Sequence, residues 1–227
     1  DGGGAAVAAV EEVRRIPFAG PRWDVAVACG SLKGGRADWL VEKCSELGAA
    51  SLIPTLTERS NSVGGSSQDK KGARKKGKDD GDDDDAERSG REGRWERVAA
   101  ASAKQCLRRH RLDVRPPANM TQLCEAVRRA PVALLCAAGA PPLREVMSAA
   151  DTRTGDEVDA GYYGEDGGGV LIVGPEGDFT PEEVELLVAA GARPVGLGPL
   201  RLRVETAAVA IMSCVSMTHP RTQPPGC

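Results

Sequence analysis

The chain has 227 residues, 41% hydrophobic and 28% charged, a balance that fits one globular domain with some sequence outside its core. Its formal net charge is -3, from 30 Lys and Arg against 33 Asp and Glu, so no global basic excess marks a nucleic-acid partner and local clustering has to decide. No apolar run approaches the roughly 20 residues that cross a bilayer, and seven scattered cysteines without paired metal-ligand spacing point to buried thiols in a reducing compartment and to no metal.

The chain opens on Asp1 rather than Met, so an upstream segment is expected. A first strand is predicted over Val25 to Cys29. A helix follows from Ala37 to Leu47, where Trp39, Leu40, Cys44 and Leu47 recur at the helical period and Gly48 supplies a left-handed stop. Ser51 to Thr55 is the second predicted strand. Ser66 to Gly93 contains no apolar residue except Ala73 and Ala86, and with its flank it reads as a disordered insertion over residues 63–93. That stretch holds eight basic and nine acidic residues, leaving 22 basic and 24 acidic for the rest, so removing it does not unmask a net charge.

The next helix is expected from Arg94 to Arg109, with Arg94, Arg97, Lys104 and Arg108 on one stripe and Trp95, Val98, Ser102 and Cys106 on another. With Arg111 and Arg115 just beyond, this is the one concentrated basic patch, suited to RNA phosphates. A solvated helix face would look the same. Further strands are predicted at Val132 to Ala137, Val170 to Gly174 and Pro194 to Leu197, with a loop over Asp151 to Gly169. Thr180 as N-cap, Pro181 at the first helical position and Glu183 three residues after the cap spell a capping box, and Gly191 ends that helix. A last helix, Glu205 to Met217, is apolar almost all round and should be buried in the domain or against a second subunit. Short apolar strands alternating with amphipathic helices give an α/β class with a mostly parallel sheet covered on both faces.

Two glycine-bearing loops follow predicted strands. Gly174-Pro175-Glu176-Gly177-Asp178-Phe179 leads into the capped helix, and Val195-Gly196-Leu197-Gly198-Pro199 leads through Leu202-Arg203-Val204-Glu205-Thr206 into the last one. The carboxyl edge of a parallel sheet is where ligands bind, and glycine lets a backbone approach closely. Neither loop is a Walker A sequence or a dinucleotide fingerprint, so phosphate cradling is disfavoured.

These motifs together resemble the signatures of the RsmE family, S-adenosylmethionine-dependent methyltransferases of small-subunit ribosomal RNA in the SPOUT superfamily. Lys33, Trp39, Lys43, Glu46-Leu47-Gly48 and Ile53-Pro54 match its first half, and Arg94-Trp95, Ala103, Gln105 and Arg108 match its Arg-Trp and Gln-x-x-Arg helix. The resemblance implies a C-terminal trefoil knot of SPOUT type, a homodimer through the knot region and no role for a membrane. Residues 21–219 would form the methyltransferase domain. Residues 1–20 would be a linker or the remnant of an N-terminal PUA-like barrel that is largely absent, and residues 220–227 a tail. Where ribosomes assemble sets the location: cytoplasm, plastid stroma or mitochondrial matrix.

By the same resemblance, S-adenosylmethionine is held by Leu135, Cys136 and Ala137, by Gly174, Pro175, Glu176 and Gly177, and by Leu197, Gly198, Leu202, Arg203 and Thr206. The RNA would meet Arg94, Arg97, Lys104, Arg108 and Arg111. The family reaction methylates N3 of a uridine, so the base must be unpaired or extruded and its N3 proton removed. Arg203 or Arg108 would stabilise the resulting negative charge, and Glu205 or Glu176 would take the proton or orient that arginine. Arg203 and Glu205, at a buried helix start, would need partners.

The chain departs from the pattern at four points, one of them the lack of a proline after Arg111. Asp178 stands where the family has a second glycine, Leu200-Arg201 replaces Arg-Ile, and Val204 replaces a threonine. Asp178 would forfeit a positive backbone angle or crowd the cofactor. The alternative reading is therefore a non-catalytic RNA-binding or ribosome-assembly protein with a degenerate knot pocket.

Overall fold

The computed structural model describes residues 16, 18, 20–28, 35–59, 82–151 and 167–217. Lys33, Cys29, Cys227, the tail, most of residues 1–20 and residues 63–81 of the expected insertion lie outside them, as does most of the loop expected after Asp151.

β1 (Arg22–Val27) leads to α1 (Gly35–Glu46), which stops at Gly48 with φ 92, as expected of a left-handed terminator. Leu40, Val41 and Cys44 of α1 are buried, whereas Trp39, expected on the apolar stripe, is 42% exposed. β2 (Ser51–Pro54) comes next. α2 (Asp82–Gln105) begins well before the expected Arg94, so the last part of the segment expected to be disordered is helical. The helix also stops short of Arg109: Leu107 turns left-handed at φ 55.

β3 (Asp113–Val114) and α3 (Met120–Arg129) were not anticipated, although Asn119 and Gln122 form a complete capping box at the start of α3. β4 (Ala133–Cys136), α4 (Leu143–Asp151), β5 (Gly168–Val173), α5 (Pro181–Ala189), β6 (Arg193–Val195) and α6 (Val204–Met217) complete the order. The Thr180–Glu183 capping box forms as read from the sequence.

All six strands are parallel, in the order β3-β2-β1-β5-β4-β6. β5 is buried throughout, as a central strand covered on both faces must be. Its residues alternate between two cores: Leu171 and Val173 pack with Leu40, Trp95, Ala208, Ile211 and Met212 on one face, Val170 and Ile172 with Leu123, Leu135, Phe179 and Leu187 on the other. α1, α2 and α6 cover the first face and α3 and α5 the second. At Gly169 a methyl group would run into the Val132 carbonyl and the Trp23 ring, so only glycine permits that approach. α6 is buried against α1, β1 and β5 through Ala207, Ala208, Ile211, Met212 and Val215.

Candidate functional site

The strand registers place Pro54, Val27, Val173, Cys136 and Val195 in one row across the sheet. The residues that follow this row, Thr55, Ala28, Gly174, Ala137 and Gly196, therefore leave the sheet side by side at its carboxyl edge. The loops after β4, β5 and β6, distant in sequence, are neighbours because the register makes them so.

Hydrogen bonds sew these loops together. Ala137 N–H donates to Val195 O at 3.0 Å, Gly196 N–H to Pro141 O at 2.7 Å and Leu143 N–H to Gly196 O at 3.1 Å, joining the loop after β4 to that after β6. The Arg201 guanidinium reaches the loop after β5, donating to Glu176 O at 3.0 Å and to the Asp178 carboxylate at 2.7 Å. Arg59, after β2, donates to Gly177 O at 2.6 Å. The Glu183 carboxylate, largely buried, accepts from Thr180 N–H and Glu58 N–H, both at 2.9 Å, fixing the start of α5 to the same loop.

The two glycine-bearing turns thus stand together. Pro175 is buried, while Glu176, Gly177 and Gly198 are exposed. Gly198 has φ 118 with open space where a side chain would begin, and at Gly174 a methyl group would come within 3.0 Å of the Phe179 ring. Leu197 and Leu202 are half-buried and packed on the core, and Cys136, in the row, and Ala137, which follows it, are half-buried as well. An adenosyl group, flat and apolar on its faces with polar edges, fits such backbone edges and half-buried leucines. Leu135 differs from its neighbours: its side chain is fully buried in the second core, so what it offers is packing.

At the start of α6, Arg203 O accepts the first helical bond, from Ala207 N–H at 2.8 Å, so Arg203 holds the N-cap position. Contrary to expectation this helix start is not buried at Arg203: the side chain is exposed, Glu205 is half-buried and Thr206 exposed, while Val204 and Ala207 face the core. Helical periodicity places side chains on faces and says nothing of how deep the first turn lies. The acidic Glu205 in that turn is favoured by the helix dipole.

Asp178 corrects a second expectation. It adopts φ 58, so the positive angle a glycine would supply is kept, and its N–H donates to Pro175 O at 2.9 Å. Aspartate is among the few side chains that tolerate this conformation.

Arg108 is not brought to these loops. Its guanidinium donates to Ser45 O at 2.6 Å and Ala49 O at 3.0 Å, at the end of α1 and just before β2, which is the amino-terminal edge of the sheet. Burial lowers its pKa, partly offset by Cys106. The turn at Leu107 takes it off the helical stripe on which it was expected. Arg97, Lys104 and Arg111 are exposed, and Arg94 is exposed but paired with Asp38, whose carboxylate raises its pKa. Among the described residues there is no cluster of metal-ligating side chains and no helix long and apolar enough to cross a membrane.

Arg59, Arg201 and Glu183 are the residues that sequence reading did not place at this edge. The position of Arg59, just past the β2 strand end, was the available signal.

The family model described as an RNA methyltransferase domain matches residues 20–77 and 82–216. The chain is 29% identical over 90% of its length to the ribosomal RNA small subunit methyltransferase E of Bacillus subtilis, and 27% identical over 91% to the protein of that name from Synechocystis. It spans 68% of the first and 56% of the second. A methyltransferase of Legionella pneumophila, solved with the bound cofactor SAM, is 26% identical with a TM-score of 0.62, over 87% of this chain and 66% of that one.

Proposed function

The chain belongs to the RNA methyltransferase domain family, which bears out the resemblance carried by its motifs, and from that premise we propose that it transfers a methyl group from S-adenosylmethionine to N3 of a uridine in small-subunit ribosomal RNA. The observation that carries this reading is the joining of the loops after β4, β5 and β6 into one edge, with exposed Arg203 and half-buried Glu205 at the helix start that follows. The SAM-bound Legionella neighbour supports the cofactor.

S-adenosylmethionine, when bound, supplies an electrophilic methyl carbon on a sulfonium. The chain's own residues do the rest. The backbone of Gly174 to Gly177 and of Leu197 and Gly198, with the side chains of Leu197 and Leu202, would hold the adenosyl group. Cys136, Ala137 and Thr206 line the same edge. Glu205 accepts the N3 proton, and Arg203 holds the negative charge that spreads onto the flanking carbonyl oxygens as N3 ionises. The deprotonated N3 would then be the nucleophile for that methyl group, with the thioether of the donor as leaving group. Arg97, Lys104 and Arg111 neutralise RNA phosphates, and Arg94 would do so only on leaving Asp38.

By the family resemblance the reading extends to a trefoil knot through the loops around β6 and to a homodimer through that region, where the 78% exposed Met217 at the end of α6 is apolar surface for a second copy to cover. Small-subunit assembly places the activity in the cytoplasm, or in plastid stroma or mitochondrial matrix. The test is incubation of the chain with unmethylated small-subunit ribosomal RNA and a methyl-labelled donor. Label recovered as 3-methyluridine is the expected result. Cofactor and RNA binding without label transfer would leave the non-catalytic RNA-binding role.

A further inference from the structure

Asp178 and Arg201 are two of the positions at which this chain departs from the sequence pattern it resembles, and they meet: the guanidinium lies 2.7 Å from the carboxylate and 3.0 Å from Glu176 O. One side chain from the loop after β6 therefore holds both a side chain and a carbonyl of the loop after β5. We propose that Asp178 and Arg201 are positioning residues for cofactor uptake, a bridge that sets the separation of the two loops and the orientation of the Glu176–Gly177 peptide.

In a trans peptide the C=O and N–H point in opposite directions. Holding Glu176 O therefore fixes which way the Gly177 N–H faces. Arg59 holds the next carbonyl, Gly177 O, at 2.6 Å, so two consecutive peptides are gripped by guanidinium groups from two other loops. Asp178 contributes twice, since its left-handed backbone, φ 58, closes the turn through its N–H to Pro175 O and its carboxylate anchors Arg201. A glycine at 178 would reach the same backbone angle but could not anchor the arginine. Both side chains are well exposed, 67% for Arg201 and 59% for Asp178, so the pair adds little to global stability and its effect is confined to the loops.

This inference rests on the proposed cofactor, and its test has one arm that does not. In the cofactor-free chain, Arg201→Ala speeds amide hydrogen exchange at Asp178 and Gly177; unchanged exchange would overturn the bridge. In titrations with S-adenosylmethionine, Arg201→Ala weakens binding about fivefold and Asp178→Asn, which keeps the backbone tolerance and loses the charge, about two- to threefold. The double variant is no weaker than Arg201→Ala, because the two act as one unit. Arg201→Lys recovers part of the affinity, and high salt lowers wild-type affinity more than that of Arg201→Ala. Asp178→Gly weakens binding even though it relieves the left-handed angle. Wild-type affinity in Asp178→Gly and Arg201→Ala would overturn the proposal. A wild-type chain that binds no S-adenosylmethionine, with exchange still responding to Arg201→Ala, would overturn the proposed function and the cofactor half of this inference, and leave the bridge.

Discussion

Arg203 is exposed at the N-cap of α6, so its charge is available to a ligand and is not spent on the core. Arg203→Ala should leave the thermal midpoint unchanged and lower methyl transfer about 100-fold or more, the scale of losing one preorganised charge-stabilising donor; unaltered turnover in a labelled-methyl assay would remove it from the mechanism. Arg108 is the opposite case. With its guanidinium on Ser45 O and Ala49 O, Arg108→Ala should cost about 1–3 kcal/mol in a urea denaturation, by orphaning two carbonyls. The sequence put both arginines in one mechanism because motif spacing records which residues are present. It does not record that a left-handed Leu107 sends Arg108 to the far edge of the sheet. Burial raises the Cys44 and Cys136 thiols from 9.0 to about 12. Below pH 9 both folded and unfolded chains keep these protons. Between 9 and 12 the unfolded thiols ionise while the folded ones do not, so stability falls as pH rises, by about 1.4 kcal/mol per unit for each thiol. Urea midpoints measured at neutral and alkaline pH should show this slope, and Cys44→Ala should reduce it by about half.

Among the elements, α5 was the most legible, because a capping box is a local pattern whose chemistry acts within one turn. Its Glu183 does more than the pattern says: the same carboxylate accepts from Glu58 N–H, tying the loop after β2 to the start of α5. Thr180→Ala should cost about 1 kcal/mol, the usual loss for a removed N-cap. Glu183→Ala should cost more, since two buried or half-buried N–H donors lose their acceptor; equal midpoints for the two variants would show that the tie to Glu58 adds nothing. β5 was legible as an apolar run, but its start at Gly168 and Gly169 was not, because those glycines are demanded by the neighbouring Arg22 and Val132 backbones, which no local window contains. β3 was missed because its two residues pair only with β2 and carry no periodicity of their own. The amino end of α2 is not legible as a helix because its low hydrophobicity carries no apolar periodicity to mark one.

At the scale of the whole molecule, the parallel α/β class followed from alternation of short strands and helices, and the site followed from the register. No sequence pattern states that β5 lies between β1 and β4, or that Gly174, Ala137 and Gly196 therefore leave the sheet side by side. The resemblance supplied which loops matter, and the strand order supplies why they meet. Methyl transfer therefore depends on those loops forming one receptor for an adenosyl group. Isothermal titration of the chain with S-adenosylmethionine tests this most directly. Saturable heat, with a thermal midpoint that rises with ligand concentration as binding to the folded state requires, is the predicted result. No heat and no protection against melting, from a chain whose far-ultraviolet circular dichroism shows it folded, would contradict it.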